Sequence, residues 1–151
     1  MSTTRATQHI KATRERVFQA LTDARDLAQW KVPDGMTSQV HQVDAREGGS
    51  FRVSLTYTGQ GAGKTAGQTD TYHGHFVKLV PPEQVIEVME FETSDPELQG
   101  EMKVTYRLAI ADGGTELSAV HEGVPPGVSR ADNELGWRMS LEKLRRMLEG
   151  A

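Results

Sequence analysis

Through the middle of the chain, apolar and polar residues alternate with a period of two. Phe51, Val53, Leu55 and Tyr57 alternate with Arg52, Ser54 and Thr56. Met102, Val104, Tyr106 and Leu108 alternate with Lys103, Thr105 and Arg107, and Leu117, Ala119 and His121 with Glu116, Ser118 and Val120. Successive side chains of a strand point to opposite faces, so this pattern predicts half-buried strands. Further strands are predicted at 36–45, 72–80 and 85–92, with a weaker one at 5–12. Turn chemistry separates them at Arg46-Glu47-Gly48-Gly49, Pro81-Pro82, Thr93-Ser94-Asp95-Pro96 and Asp112-Gly113-Gly114.

The period changes at both ends. Thr13 is a helix-capping residue, and Val17, Phe18 and Leu21 form one face of a short helix ending near Thr22. A second short helix, 24–30, carries Leu27 and Trp30, and Pro33-Asp34-Gly35 turns the chain after it. Near the C-terminus Trp137, Leu141, Leu144 and Leu148 recur at +4, +3 and +4. They form one stripe on a helix predicted over 131–148, about 27 Å long at roughly 1.5 Å per residue. Arg138, Glu142, Lys143, Arg145 and Arg146 lie mostly off that stripe. The order is β-α-α, six strands, then a long helix. A helix with one apolar stripe needs an apolar sheet face to cover, so an α+β layer architecture follows.

Composition narrows the functional classes. The 151 residues are most simply one domain, and 36% hydrophobic with 25% charged residues is ordinary for a globular chain. A net charge of −4 provides no basic footprint for nucleic acid. The absence of cysteine excludes disulfides, thiolate metal sites and a Cys nucleophile. No apolar run is long enough for a membrane-spanning helix, so no membrane insertion is expected. The polar start, Ser2-Thr3-Thr4-Arg5, lacks a signal-peptide core, and a cytoplasmic location is expected. Thr58-Gly59-Gln60-Gly61-Ala62-Gly63-Lys64-Thr65 mimics a phosphate-binding loop. It has Thr58 where the pattern needs Gly and runs into strand-like residues instead of a helix, so nucleotide binding is rejected. A loop beside a pocket mouth, acting as a lid, is the better reading. No cofactor is expected.

Several local stretches carry a family resemblance. Val17-Phe18-Gln19-Ala20-Leu21-Thr22 followed by Leu27-Ala28-Gln29-Trp30 looks like a pair of opening helices. Tyr72-His73-Gly74 with Val80-Pro81-Pro82-Glu83-Gln84-Val85 looks like a middle hairpin, and Gly136-Trp137 with Ser140, Leu141 and Leu144 like the start of a gripped helix. As an ordered set they resemble the START-like (SRPBCC, birch-pollen-allergen-like) superfamily, in the branch named for activators of the heat-shock chaperone ATPase. The resemblance implies a helix-grip α+β fold over residues 1–151. In that fold a curved antiparallel sheet of about seven strands wraps a long C-terminal helix, with two short helices near the N-terminus. It also implies an internal cavity for an apolar or amphipathic small molecule, on a scaffold that hosts binders, transporters, cyclases and hydrolases. Many members carry a His where this chain has Asn133, so a role of that His is not carried over.

The candidate ligand-binding residues are Trp30, Met36, Phe51, Tyr57, Met102, Tyr106, His121, Asn133, Trp137 and Leu141. Phe51, Met102, Trp137 and Leu141 would wall the pocket. Tyr106, His121 and Asn133 would orient a polar group, with Trp30 and Met36 near one end. The same spacing also describes a filled core, because periodicity reports burial and not cavity volume. His121 shares parity with Leu117 and Ala119. It is read either as a core histidine bonded to Tyr106, Asn133 or backbone, or as an orienting group or general base. His73-Gly74-His75 is half a metal site at best and is read as a solvated or hydrogen-bonded pair. Among Glu87, Glu90, Glu92 and Glu122, the pair Glu90 and Glu92 is solvated if Met89 and Phe91 face inward, and is a costly buried pair and a site candidate if they do not. No catalytic residue or metal ligand is assigned. Three functions stay open: small-molecule binding, which leads; a co-chaperone with a heat-shock chaperone as partner; and a cyclase- or hydrolase-like enzyme using the same pocket.

Overall fold

The alternating segments fold as seven strands of one sheet, in a computed structural model that describes residues 2–58 and 69–150. The strands are β1 (Ser2–Ile10), β2 (Met36–Val43), β3 (Ser50–Tyr57), β4 (Thr69–Val80), β5 (Gln84–Phe91), β6 (Met102–Ala111) and β7 (Gly114–Val124). The helices are α1 (Arg14–Thr22), α2 (Ala24–Trp30) and α3 (Arg130–Glu149). The sheet order is β1-β7-β6-β5-β4-β3-β2, antiparallel throughout. Only β1 breaks the hairpin succession, crossing to pair with β7 at the edge. The inward faces of β5, β6 and β7, with Leu141 and Leu144 of α3 and Val17 and Leu21 of α1, make one core. This is the helix-grip α+β architecture that the resemblance implies. Among the described residues no helix is long and apolar enough to cross a membrane.

The helices start where their caps put them. Thr13 Oγ1 accepts from Arg16 N at 3.1 Å, and Asp23 Oδ1 accepts from Arg25 N at 2.9 Å and Asp26 N at 3.1 Å. Asp23 thus ends α1 and begins α2, satisfying amides that have no partner within the helix. The first strand differs from the expected 5–12. It runs from Ser2 to Ile10 because β7 pairs along that whole length. The chain then bends, and the Ala12 carbonyl accepts from the Thr115 hydroxyl at 2.8 Å. Beyond Thr58, the Gly-rich stretch read as a lid lies outside the described residues.

Gly74 shows how tightly β4 and β5 are set. A Cβ added there would stand 1.9 Å from the Val88 carbonyl oxygen, a backbone atom that cannot swing aside. Gly74→Ala is expected to cost about 1–3 kcal/mol, read as a lower midpoint in urea unfolding, because the strand pair must shift to admit the methyl.

Candidate functional site

The capped start of α3 builds one wall of the site. Ser129 accepts from Asp132 N at 3.3 Å, and helical spacing then puts Asn133, Trp137 and Leu141 on one face. The lower part of that face is plain core: Leu141 is 1% exposed and Leu144 fully buried. The upper part stands over a partly open cleft of about 590 Å³ between α3 and the sheet. That is within the usual range of small-molecule sites, roughly 300–1,000 Å³. Lys143 of α3 holds the rim, donating to the Val32 carbonyl at 2.7 Å and pairing with Asp34 at 3.1 Å.

Of the ten candidate residues, Met36, Tyr57, Met102, His121, Asn133 and Trp137 line this cleft. The other four do not. Trp30 is fully buried, and its indole N–H donates to the Ala20 carbonyl at 2.8 Å, locking α2 to α1. Leu141 is one helical turn too deep. Phe51 packs on Tyr72 and Phe76 beside a separate void of about 10 Å³. Tyr106, 1% exposed, lies beneath the floor, its ring 5.8 Å from that of Trp137. These four share the inward parity of the lining residues, but parity does not say how deep a side chain sits.

His121 is held by three groups. Its Nδ1 accepts from the Trp137 indole N–H at 3.0 Å and from the Asn133 amide at 3.1 Å. The Asn133 amide also reaches the Thr4 hydroxyl at 2.8 Å. With two donors on Nδ1 the ring proton belongs on Nε2, which points at Met102 Sδ at 3.2 Å. Burial, then the Lys31 charge, lowers the His121 pKa to about 4, so the ring is neutral near pH 7. A neutral imidazole with its only lone pair engaged is an oriented donor and has no free nitrogen for proton abstraction. The geometry therefore favours the orienting role over the general base.

The floor carries an ion pair that the candidate set does not include. Lys31 Nζ donates to Glu87 Oε1 at 2.6 Å, with the Glu87 side chain only 3% exposed. The ammonium lies 5.7 Å from the Tyr106 ring centre and 6.0 Å from those of Tyr72 and Trp137. Ring faces at such distances attract a cation. Burial opposes the Lys31 charge, but the Glu87 carboxylate together with the Tyr106 and Tyr72 phenols outweighs it and holds the ammonium well above the usual lysine range. It is a cation and not an amine nucleophile. Burial also raises the pKa of the Tyr72 and Tyr106 phenols, and the charges of Lys31 and Glu87 act on both. Lys31 is near enough to the Tyr106 hydroxyl to temper that rise, yet no group among the described residues completes a hydrogen bond to it. An unpartnered buried oxygen is uncommon. Glu87 is legible by parity, since it alternates inward with Val85 and Met89. Lys31 sits in an irregular turn, where no period assigns a direction.

The outer face takes the remaining candidates. His73 and His75 point outward on β4. His73 meets Glu92 at 3.1 Å and Glu90 at 3.2 Å, and Arg52 forks onto Glu92 with two bonds of 2.8 Å. Met89 faces inward at 7% exposure and Phe91 lines the cleft, so Glu90 and Glu92 fall on the solvated side. Among the described residues no group of three or more His, Asp or Glu side chains is placed to hold a metal.

Comparison with known proteins agrees with this architecture. Protein CV1439 from Chromobacterium violaceum is 31% identical, with a TM-score of 0.87 over 99% of both chains. An AHSA1-like protein from Aeromonas hydrophila, 20% identical, superposes with a TM-score of 0.75 over 99% of this chain and 93% of that one. The Aha1 dimer from Colwellia psychrerythraea, also 20% identical, has a TM-score of 0.70 over 99% and 97%. The last two likenesses speak to fold alone. No curated protein sequence matches the chain. The model of the family described as "Activator of Hsp90 ATPase homolog 1-like protein" matches residues 11–149, and the chain belongs to that family.

Proposed function

We propose that the cleft beneath Trp137 binds a hydrophobic or amphipathic small molecule between the sheet and α3. The observation that carries this reading is the cleft itself, about 590 Å³ with Tyr57, Tyr72, Phe91 and Trp137 along it. Met36, Met89, Met102 and Met139 supply walls that adapt to shape. Apolar side chains make up most of its wall, and Lys31, His121 and Asn133 are among the polar groups on it that can orient an occupant.

Gly136 offers a test. It lines the cleft, and a Cβ there would meet only Pro33 Cγ, at 3.7 Å. Gly136→Phe is expected to fold and to fill the cleft, with stability unchanged or raised, since Gly inside a helix costs about 1 kcal/mol relative to Ala. Native mass spectrometry of protein purified gently from its host is expected to detect a bound small molecule on the wild type and none on Gly136→Phe. Equal loading of both proteins would place the molecule elsewhere and remove the reading.

A second reading, stimulation of a heat-shock chaperone ATPase, is favoured by the family description alone. Chaperone ATPase turnover measured with saturating protein tests it, and unchanged turnover would end it. The exposed large hydrophobics among the described residues, Val77, Ile110 and Leu135, stand on three different elements, and none by itself is a docking patch.

A further inference from the structure

A second void, of about 10 Å³, lies between α2 and the strands β2, β3, β4 and β5. It shares Lys31 and Tyr72 with the cleft and is otherwise a separate space. Most of its wall is apolar, with Leu27, Val40, Val53 and Phe76 upon it. Three polar side chains interrupt that wall. Lys31 and Glu87 are the ion pair of the cleft floor, and Lys31 has N–H groups beyond the one that Glu87 takes. The third is Ser38, which shares the inward parity of Met36 and Val40 on β2. Its hydroxyl is buried and has no hydrogen-bond partner among the described residues. A serine in that position is costly unless an occupant of the void bonds to it.

Size and charge identify the occupant. A space of about 10 Å³ is at the lower bound for a single water. A void lined by hydrocarbon alone stays dry, but this one carries a cation, an anion and a hydroxyl, and a buried water typically makes about three hydrogen bonds. An ion of either sign fits worse. A cation would meet the Lys31 ammonium, and an anion the Glu87 carboxylate. A neutral molecule that both donates and accepts meets no like charge.

We infer that this void binds one ordered water, which accepts from Lys31, donates to Glu87 and pairs with the Ser38 hydroxyl. The water hydrates the ion pair from outside the cleft, whatever occupies the cleft itself. One water falls far short of bulk solvation, so the pair remains a buried one. Ser38 is then tied to the pair through the water, which links β2 to the floor of the cleft.

Cross-relaxation between water and ¹³C-labelled protein tests this. Water cross-peaks to the methyls of Val40 and Val53, which line the void, are expected in the wild type. They should have opposite signs in laboratory-frame and rotating-frame experiments, the mark of a long-lived bound water. They are expected to persist in Ser38→Ala, where Lys31 and Glu87 still hold the water. They are expected to vanish in Ser38→Val, whose added methyls take the space. Loss in Ser38→Ala would assign the signal to the serine hydroxyl, and persistence in Ser38→Val to the Lys31 ammonium; either overturns the inference, as does a wild type without cross-peaks. A crystal structure of the wild type needs no variant. Density for a water at about 3 Å from Ser38 Oγ, Lys31 Nζ and Glu87 is expected, and its absence overturns the site. Ser38→Val is also expected to lower the urea midpoint of the wild type. Beside Lys31→Met with Glu87→Leu it is expected to leave the midpoint unchanged or raised, since no charge is left to hydrate. An equal drop in both backgrounds would reduce Ser38 to packing and overturn its tie to the pair.

Discussion

Lys31→Met is expected to destabilise the fold by about 3–5 kcal/mol, the loss typical when one partner of a buried ion pair is removed. The variant strands the Glu87 carboxylate, whose side chain is 3% exposed and pairs with no other cation among the described residues. The reverse change is milder. Glu87→Gln keeps an acceptor for Lys31 and leaves a cation on a flexible stem that lines the open cleft and can turn toward water. About 1–2 kcal/mol is expected there. The double change Lys31→Met with Glu87→Leu is expected to recover most of the loss, because an apolar pair of similar volume has no charge to desolvate. Urea unfolding of the three variants measures all of this. A Glu87→Gln loss larger than that of Lys31→Met would show that the carboxylate reaches water after all. The Lys31→Met deficit is expected to shrink in acid, where a stranded carboxyl escapes the cost of burial by taking up a proton.

Stability is also expected to fall with acidification through His121. Its pKa drops from an ordinary 6.5 to about 4 on folding. Above pH 6.5 neither state carries the proton and the group contributes no slope. Between 6.5 and 4 the unfolded chain binds a proton that the folded protein refuses, so stability decreases as pH falls through this window. The full effect is on the order of 3 kcal/mol at about 1.4 kcal/mol per unit. Carboxylates titrate in the lower part of the same range, so the informative quantity is the difference between wild type and His121→Gln. Gln retains an acceptor for Trp137 and Asn133 but does not titrate. The wild-type stability is expected to fall more steeply than that of the variant from pH 6.5 to 4. Parallel curves would mean that His121 is protonated freely in the folded state, which its two N–H donors on Nδ1 oppose.

The network that makes His121 a donor is partly legible in the sequence. Parity in β7 points it inward, and helical spacing puts Asn133 and Trp137 on one face of α3. Their meeting needs β7 to lie against the start of α3, which the order of elements suggests. Tyr106, which parity offers as a partner of His121, packs instead against the Trp137 ring, next to Lys31. Period two names its face but not its distance from the helix.

The amino-acid sequence by itself determined the seven strands, the three helices and the Thr13 cap, the alternation of the β3, β6 and β7 strands, and the family resemblance. These are local properties: alternation, capping and turn chemistry act within a few residues, so a linear reading reaches them. Tertiary structure alone decided which part of the α3–sheet interface is solid core and which is cleft, since volume depends on how far apart the packed elements stand. It alone brought Lys31 from an irregular turn onto Glu87, a residue 56 positions away, and left the Tyr106 hydroxyl without a partner among the described residues. Depth and long-range electrostatic pairing are set by three-dimensional packing, and no period along the chain encodes them.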